Sequence, residues 1–211
     1  DRQRIGKQSV QTPELLRSAK FGYINSHFSL LPKYRGASPI NAALINNEKY
    51  TGISVIFVEK KLDAGDIISF EREEIRNDDD AGSLSKRLSE KSGDMLLQTL
   101  ELLENGKVKA KKQEESGSSY APKITNETAR IIWKKSAPEI VSLVRGLSPA
   151  PTAFFMLKGR KIAVIKAKLL DDLEHTTASG TVIQYEKGKG WIVAAGRGKL
   201  LVQTIRPESK K

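Results

Sequence analysis

Residues 51–58 carry apolar side chains on both faces, through Ile53, Val55, Ile56, Phe57 and Val58. A short run of this kind predicts a strand buried in the middle of a sheet. Residues 67–75 alternate, which predicts a half-exposed neighbour. Residues 83–104 carry Leu84, Leu88, Met95, Leu96, Leu100 and Leu103 on one helical stripe, and Asn105-Gly106 ends that helix. Two shorter helices are predicted before these elements. One spans 12–21, with Thr12 as cap and Pro13 in the first turn; the other is opened by Ser38-Pro39 and runs to about Asn46. Residues 23–25 are extended and run into His27. Residues 29–36 have no sustained period and predict a loop.

Residues 107–122 change character. Lys107, Lys109, Lys111 and Lys112 are followed by Gln-Glu-Glu-Ser-Gly-Ser-Ser, a linker by composition. Ser136 and Glu139 have capping-box spacing and predict a helix with Ile140, Val144 and Leu147 on one face, stopped by Pro149 and Pro151. Beyond it only strand signals remain: 153–157, 161–168, 181–185, 191–195 and 200–206, separated by glycine turns. Five short strands predict a small OB-like barrel. The fold class expected is therefore α/β followed by a β-barrel. The divisions are 1–106, a basic linker at 107–125, the barrel at 126–208 and a tail at 209–211.

Charge sharpens this division. The net charge is +11. Residues 1–105 carry 15 Lys+Arg against 16 Asp+Glu, whereas residues 106–211 carry 21 against 9. The whole basic excess lies in the second half, which suggests a polyanionic partner there or a lysine-rich solvated surface. There is no cysteine, so disulfides, thiol nucleophiles and cysteine zinc sites are excluded. No apolar run approaches the ~18 residues of a membrane span, and no metal is expected.

Only two histidines are available. His175 lies among polar neighbours and is expected to be a solvated loop residue. His27 ends a strand, just before a loop, where α/β proteins commonly place chemistry; a structural histidine is equally compatible. Asp63 and Asp66, in Leu62-Asp63-Ala64-Gly65-Asp66, follow the buried strand. A capped turn and a carboxylate paired with His27 both remain open. Gly196-Arg197-Gly198-Lys199 precedes no helix, so it predicts a hairpin turn rather than a phosphate loop. No Gly-x-Ser-x-Gly elbow occurs.

The run Ile24-Asn25-Ser26-His27-Phe28-Ser29-Leu30-Leu31-Pro32-Lys33-Tyr34-Arg35-Gly36-Ala37-Ser38-Pro39-Ile40, followed by residues 51–55 and 62–66, resembles the signature of the 10-formyltetrahydrofolate-dependent formyltransferases. The second half resembles the branch acting on methionyl-tRNA, through residues 120–124, 129–133 and the 136–147 helix. The resemblance implies a partial Rossmann-like formyltransferase domain, with upstream strands of the family's sheet not represented before Asn25. It implies 10-formyltetrahydrofolate as formyl donor and initiator methionyl-tRNA as acceptor, in a cytoplasmic or organellar-matrix protein, as a monomer. Asn25, His27 and Asp63 correspond to the family's catalytic residues, with Asn25 and protonated His27 donating to the oxyanion. Ser29, Leu30, Leu31 and Pro32 correspond to its folate loop. Arg35, Lys107, Lys109, Lys111, Lys112 and Lys123 are the expected tRNA contacts. Two departures bear on docking: Pro149-Ala150-Pro151 lacks an aromatic between its prolines, and Ile132 stands where an acid is common. Two other functions are carried alongside: formylation of a nucleotide-linked amino sugar, and a non-catalytic RNA-binding module.

Overall fold

The computed structural model describes residues 18–208. Most of the helix expected at 12–21 lies outside the described residues; residues 18–21 form bends and a turn. Strand β1 (Ile24–His27) pairs antiparallel with β3 (Tyr50–Phe57), which pairs antiparallel with β4 (Ile67–Glu74). The predicted central strand is indeed central, and six consecutive residues of it, 51–56, are buried. Helix α1 (Pro39–Ile45) and helix α2 (Ala81–Glu104) supply the cover. Leu84 and Leu88 of α2 close over Ile53 and Val55, with Leu44 of α1 in the same cluster. Each such side chain, fully buried, contributes roughly 1.5–3 kcal/mol. Among the described residues this sheet contains only antiparallel pairs, so no parallel Rossmann-type unit is formed by them.

The α2 stripe holds only in part. Leu84, Leu88 and Met95 are buried, but Leu100 is 48 % exposed, and Thr99 takes the buried place beside it. Thr99 satisfies its hydroxyl on the Met95 carbonyl one turn back, at 2.7 Å.

The second half is built on five strands, β6 (Ala153–Leu157), β7 (Arg160–Asp171), β8 (Val182–Glu186), β9 (Gly190–Ala194) and β10 (Lys199–Pro207). Their order is β6-β7-β10-β9-β8, all antiparallel. The two end strands, β6 and β8, do not pair with each other, so the sheet stays open where a closed barrel was expected. Helix α3 (Ala137–Leu147) lies on it, with Ile140, Val144 and Leu147 packed against Val164, Leu200 and Val202. Its predicted capping box is present: Ser136 Oγ accepts from the Glu139 amide, while Glu139 Oε2 accepts from the Ser136 amide at 3.0 Å.

Side-chain hydrogen bonds join the halves. Asn41 donates to the Gly146 carbonyl at 2.6 Å, and Arg145 donates to the carbonyls of Asp79 and Arg76, both at 2.8 Å. At Gly146 the helices α1 and α3 pass so closely that a Cβ there would stand 2.6 Å from Ile45 Cγ1.

The connecting segment is not the free linker that its composition suggests. Lys111 exchanges both backbone hydrogen bonds with Ile67, each at 2.8 Å. Strand β5 (Tyr120–Ala121) pairs in parallel with β2 (Arg35–Gly36), and a short 3-10 turn (Glu115–Gly117) lies between these anchors. The segment is a strap laid along the first domain.

Candidate active site

The site forms where β1 runs out. Asn25 and His27 are two residues apart on a strand, so they share a face. Asn25 is exposed, whereas His27 is buried at 5 %. The chain then turns tightly through residues 29–34. Ser54, a hydroxyl in an otherwise apolar strand, fixes that turn: it donates to the Ser29 carbonyl at 2.8 Å and accepts from the Leu31 amide at 3.1 Å. Ser29 in turn donates to the Lys33 carbonyl at 2.6 Å.

Tyr34 leaves the turn at φ 60 and Asp63 lies at φ 49. Left-handed backbone at non-glycine residues costs roughly 1–3 kcal/mol each and persists only where the surroundings hold it. Both strained residues converge on one imidazole. His27 Nε2 lies 2.8 Å from the Tyr34 carbonyl, which can only accept, so this nitrogen carries a proton. His27 Nδ1 lies 3.6 Å from Asp63 Oδ2, a close charge contact longer than a hydrogen bond. The same Asp63 oxygen accepts from the Gly36 amide at 2.8 Å.

The structure thus brings His27 and Asp63 together, with Asn25 exposed two residues before His27 on the same strand. It differs from expectation in one respect. Both nitrogens of His27 face protein acceptors, so the ring does not present a free N–H to solvent; to reach a ligand it must leave the Tyr34 carbonyl. Asp66 contributes its carbonyl to the turn, accepting from the Phe57 amide at 3.0 Å.

Leu30, Leu31 and Pro32 line a cleft of about 690 Å³, whose opposite wall carries Lys109, Lys111 and Lys112 of the strap. Residues expected to serve the folate and the tRNA therefore share one cavity. Lys107 and Lys123 are exposed elsewhere along the connection. Arg35 requires correction as a tRNA contact. It is 6 % exposed, and its guanidinium is spent on Gln113 and Glu115. A buried cation with its donors occupied is a structural clamp and offers nothing to a phosphate. His175 is also less solvated than expected: it is half-buried, and its Nε2 donates to the Gly198 carbonyl at 3.0 Å.

Sequence reasoning missed Gln113 and the structural part of Ser54. Ser54 leaves a local trace, a polar residue inside a buried strand. Gln113 leaves none, because its partners are far away in the chain. Among the described residues no group of three or more His, Cys, Asp or Glu side chains is placed to hold a metal ion. Among them, too, no helix is long and apolar enough to cross a membrane.

The geometry, a strand-end amide donor with an imidazole–carboxylate pair behind it, suits acyl or formyl transfer through an oxyanion. Comparison with known proteins defines the class. Residues 8–100 match the formyl transferase family model and residues 123–211 match the model of the formyl transferase C-terminal domain. The chain belongs to the formyl transferase family. It is 41 % identical over 198 residues to a methionyl-tRNA formyltransferase of Fusobacterium nucleatum subsp. nucleatum, covering 94 % of this chain and 64 % of the relative. It is 39 % identical over 199 residues to the methionyl-tRNA formyltransferase of Dictyoglomus thermophilum, with the same two coverages. The chain therefore spans just under two thirds of the length of these relatives. In fold it is similar to the N-formyltransferase from Helicobacter canadensis, solved with folinic acid and dTDP-3-aminofucose. The TM-score is 0.67 and the identity 23 %, over 85 % of this chain and 65 % of that one.

Proposed function

We propose that the protein transfers the formyl group of 10-formyltetrahydrofolate to the α-amino group of initiator methionyl-tRNA, for translation initiation. The observation that carries this reading is the His27–Asp63 contact beside exposed Asn25, in a chain about 40 % identical to methionyl-tRNA formyltransferases over nearly its whole length. The amine attacks the formyl carbon bound to N10 of the folate, and the carbonyl oxygen gains charge. Asn25 donates to it. His27, released from Tyr34, adds a second donor while Asp63 stabilises its positive form and takes up the amine proton through water; collapse of the tetrahedral intermediate then breaks the bond between the formyl carbon and N10, and that proton passes back through the water to N10, which leaves as tetrahydrofolate. One such prepositioned donor is worth roughly a hundredfold in rate or more.

Leu30, Leu31 and Pro32 would flank the folate, whereas Ser29, expected as a folate contact, is fully buried with its hydroxyl on the Lys33 carbonyl and would only shape the turn. Lys107, Lys109, Lys111, Lys112 and Lys123 would meet tRNA phosphates, and the open β-sheet half would serve as an OB-like tRNA platform. A cytoplasmic monomer fits this role. The basic excess of residues 106–211 favours tRNA over a nucleotide-linked amino sugar as acceptor.

The test supplies 10-formyltetrahydrofolate with either methionyl-tRNA or an amino-sugar nucleotide, to the unaltered protein and to His27→Ala. Formyl-methionyl-tRNA from the unaltered protein only is the expected result. Formylation of the sugar alone, or full activity of His27→Ala, overturns the assignment.

A further inference from the structure

Gln113 is 6 % exposed, between exposed Lys112 and Glu114. Burying one carboxamide in a polar strap is costly unless every polar atom is satisfied, and here every atom is used. Its Oε1 accepts from Arg35 Nε at 3.1 Å and Nη2 at 2.8 Å. Its Nε2 donates to the carbonyls of Asp63 at 2.9 Å and Gly65 at 2.8 Å. Only an amide can accept from a guanidinium at one end and give two hydrogens at the other. A glutamate of the same shape would set oxygens against both carbonyls.

The contacts close into a ring. Arg35 holds Gln113. Gln113 holds the backbone of Asp63. Gly36, next to Arg35 in β2, donates its amide to Asp63 Oδ2 at 2.8 Å. Arg35 is itself pinned by Glu115, at 3.2 Å from each carboxylate oxygen. What the ring encloses is a residue at φ 49, a conformation that relaxes when its supports are removed.

We propose that Gln113 is a positioning residue: it holds the Asp63 turn in its strained form and so sets the reach of the Asp63 carboxylate to His27. The inference rests on the functional reading of His27 and Asp63 given above. Gln113 borders the cleft lined by Leu30, Leu31 and Pro32, but its carboxamide is fully engaged by Arg35, Asp63 and Gly65, so its influence on the reaction runs through Asp63.

The test is hydrogen exchange on Gln113→Glu, followed residue by residue. The reporter is the Gly36 amide, which donates to the Asp63 carboxylate. The reference is the Ile140 amide, which donates to the Ser136 carbonyl in the other half. Gly36 exchange is expected to rise about tenfold, with Ile140 unchanged. In formyl transfer, kcat is expected to fall while KM for the acceptor stays constant. Arg35→Lys loosens Gln113 from its other side and is expected to move Gly36 in the same direction, which keeps the test open if Gln113→Glu does not fold. Equal acceleration of both amides, or no change at Gly36, overturns the proposal. Absence of formyl transfer in the unaltered protein is a separate result and counts against the functional reading, because the exchange measurement does not depend on it.

Discussion

Asp79 meets Arg87 end-on, with Oδ1 2.9 Å from Nη1 and Oδ2 2.6 Å from Nη2. The carboxylate has only 4 % of its side chain exposed, in the turn before α2. The Asp79 carbonyl accepts from Arg145 of the other half. One residue therefore joins a buried ion pair to the interface between the two halves.

That arrangement predicts an acid limit. Burial alone raises the Asp79 carboxyl, but hydrogen bonds from Arg87, the Arg76 amide and Ser83 outweigh it and hold the pKa at about 2, below the ordinary 3.8. Its folded-state value is depressed, so its contribution is complete above the ordinary value and disappears as pH falls from about 4 towards 2. The amount is about 2 kcal/mol. Burial also raises Glu73, but Lys91 and Arg87 hold it below its ordinary value, so it titrates in the same sense. Urea unfolding across this range should show the loss in the unaltered protein. Asp79→Asn should flatten the acid limb while costing about 2 kcal/mol at neutral pH, because Arg87 loses its two bonds to the Asp79 carboxylate and keeps only Glu73 and the Glu74 carbonyl.

The turn that carries Asp63 has no spare room. A Cβ on Gly65 would lie 1.8 Å from the Phe57 carbonyl oxygen. Gly65→Ala should push the turn outwards, cost about 1–3 kcal/mol and reduce formyl transfer about a hundredfold. A melt together with a kcat measurement checks this; unchanged turnover would mean that the turn can yield without disturbing Asp63.

Helix α3 depends on its cap. Ser136→Ala removes the acceptor for the Glu139 amide, and with it the hydroxyl that donates to Glu139 Oε2 at 2.7 Å. The expected cost is about 1 kcal/mol. It should appear as a lower urea midpoint with an unchanged slope, since the core beneath α3 is untouched.

Replacing Lys107, Lys109, Lys111 and Lys112 together by Gln should weaken methionyl-tRNA binding and lower its salt dependence. The log–log slope should fall by about one unit for each phosphate that is no longer neutralised. An unchanged slope, with a weaker folate interaction, would instead assign the three lysines of the cleft to the anionic end of the folate.

Much of the fold is legible because its signals are local. The 51–58 strand, the 81–104 helix and the five late strands announce themselves through period, β-branched residues and glycine turns. The shared face of Asn25 and His27 follows from strand alternation alone. The strap is illegible because polar composition reads identically whether a segment is solvated or tied down. What ties it is Arg35, 78 residues away from Gln113 in the chain. By its charge Arg35 reads as a tRNA contact, and only burial shows that the charge is already taken. Leu100 misleads in the opposite way: a helical stripe marks side chains that could be covered, whereas the neighbouring element decides how far along the helix the cover extends. The neighbours of His175 are polar, yet a carbonyl from across a turn occupies its ring.

The docked strap also changes where this chain can be cut or lengthened. Polar, lysine-rich connections between domains are ordinarily the places that accept insertions and attract proteases, because their backbone is unpaired. Here residues 108–110 have that character; further on, the backbone is anchored to Ile67 at Lys111 and to β2 at Tyr120–Ala121. A graft or a nick before Lys111 leaves the imidazole–carboxylate pair untouched. One placed a few residues later removes a wall of the cleft and releases Asp63. Two sites that look equivalent on the surface thus differ in kind: one is a seam, and the other is part of the machine.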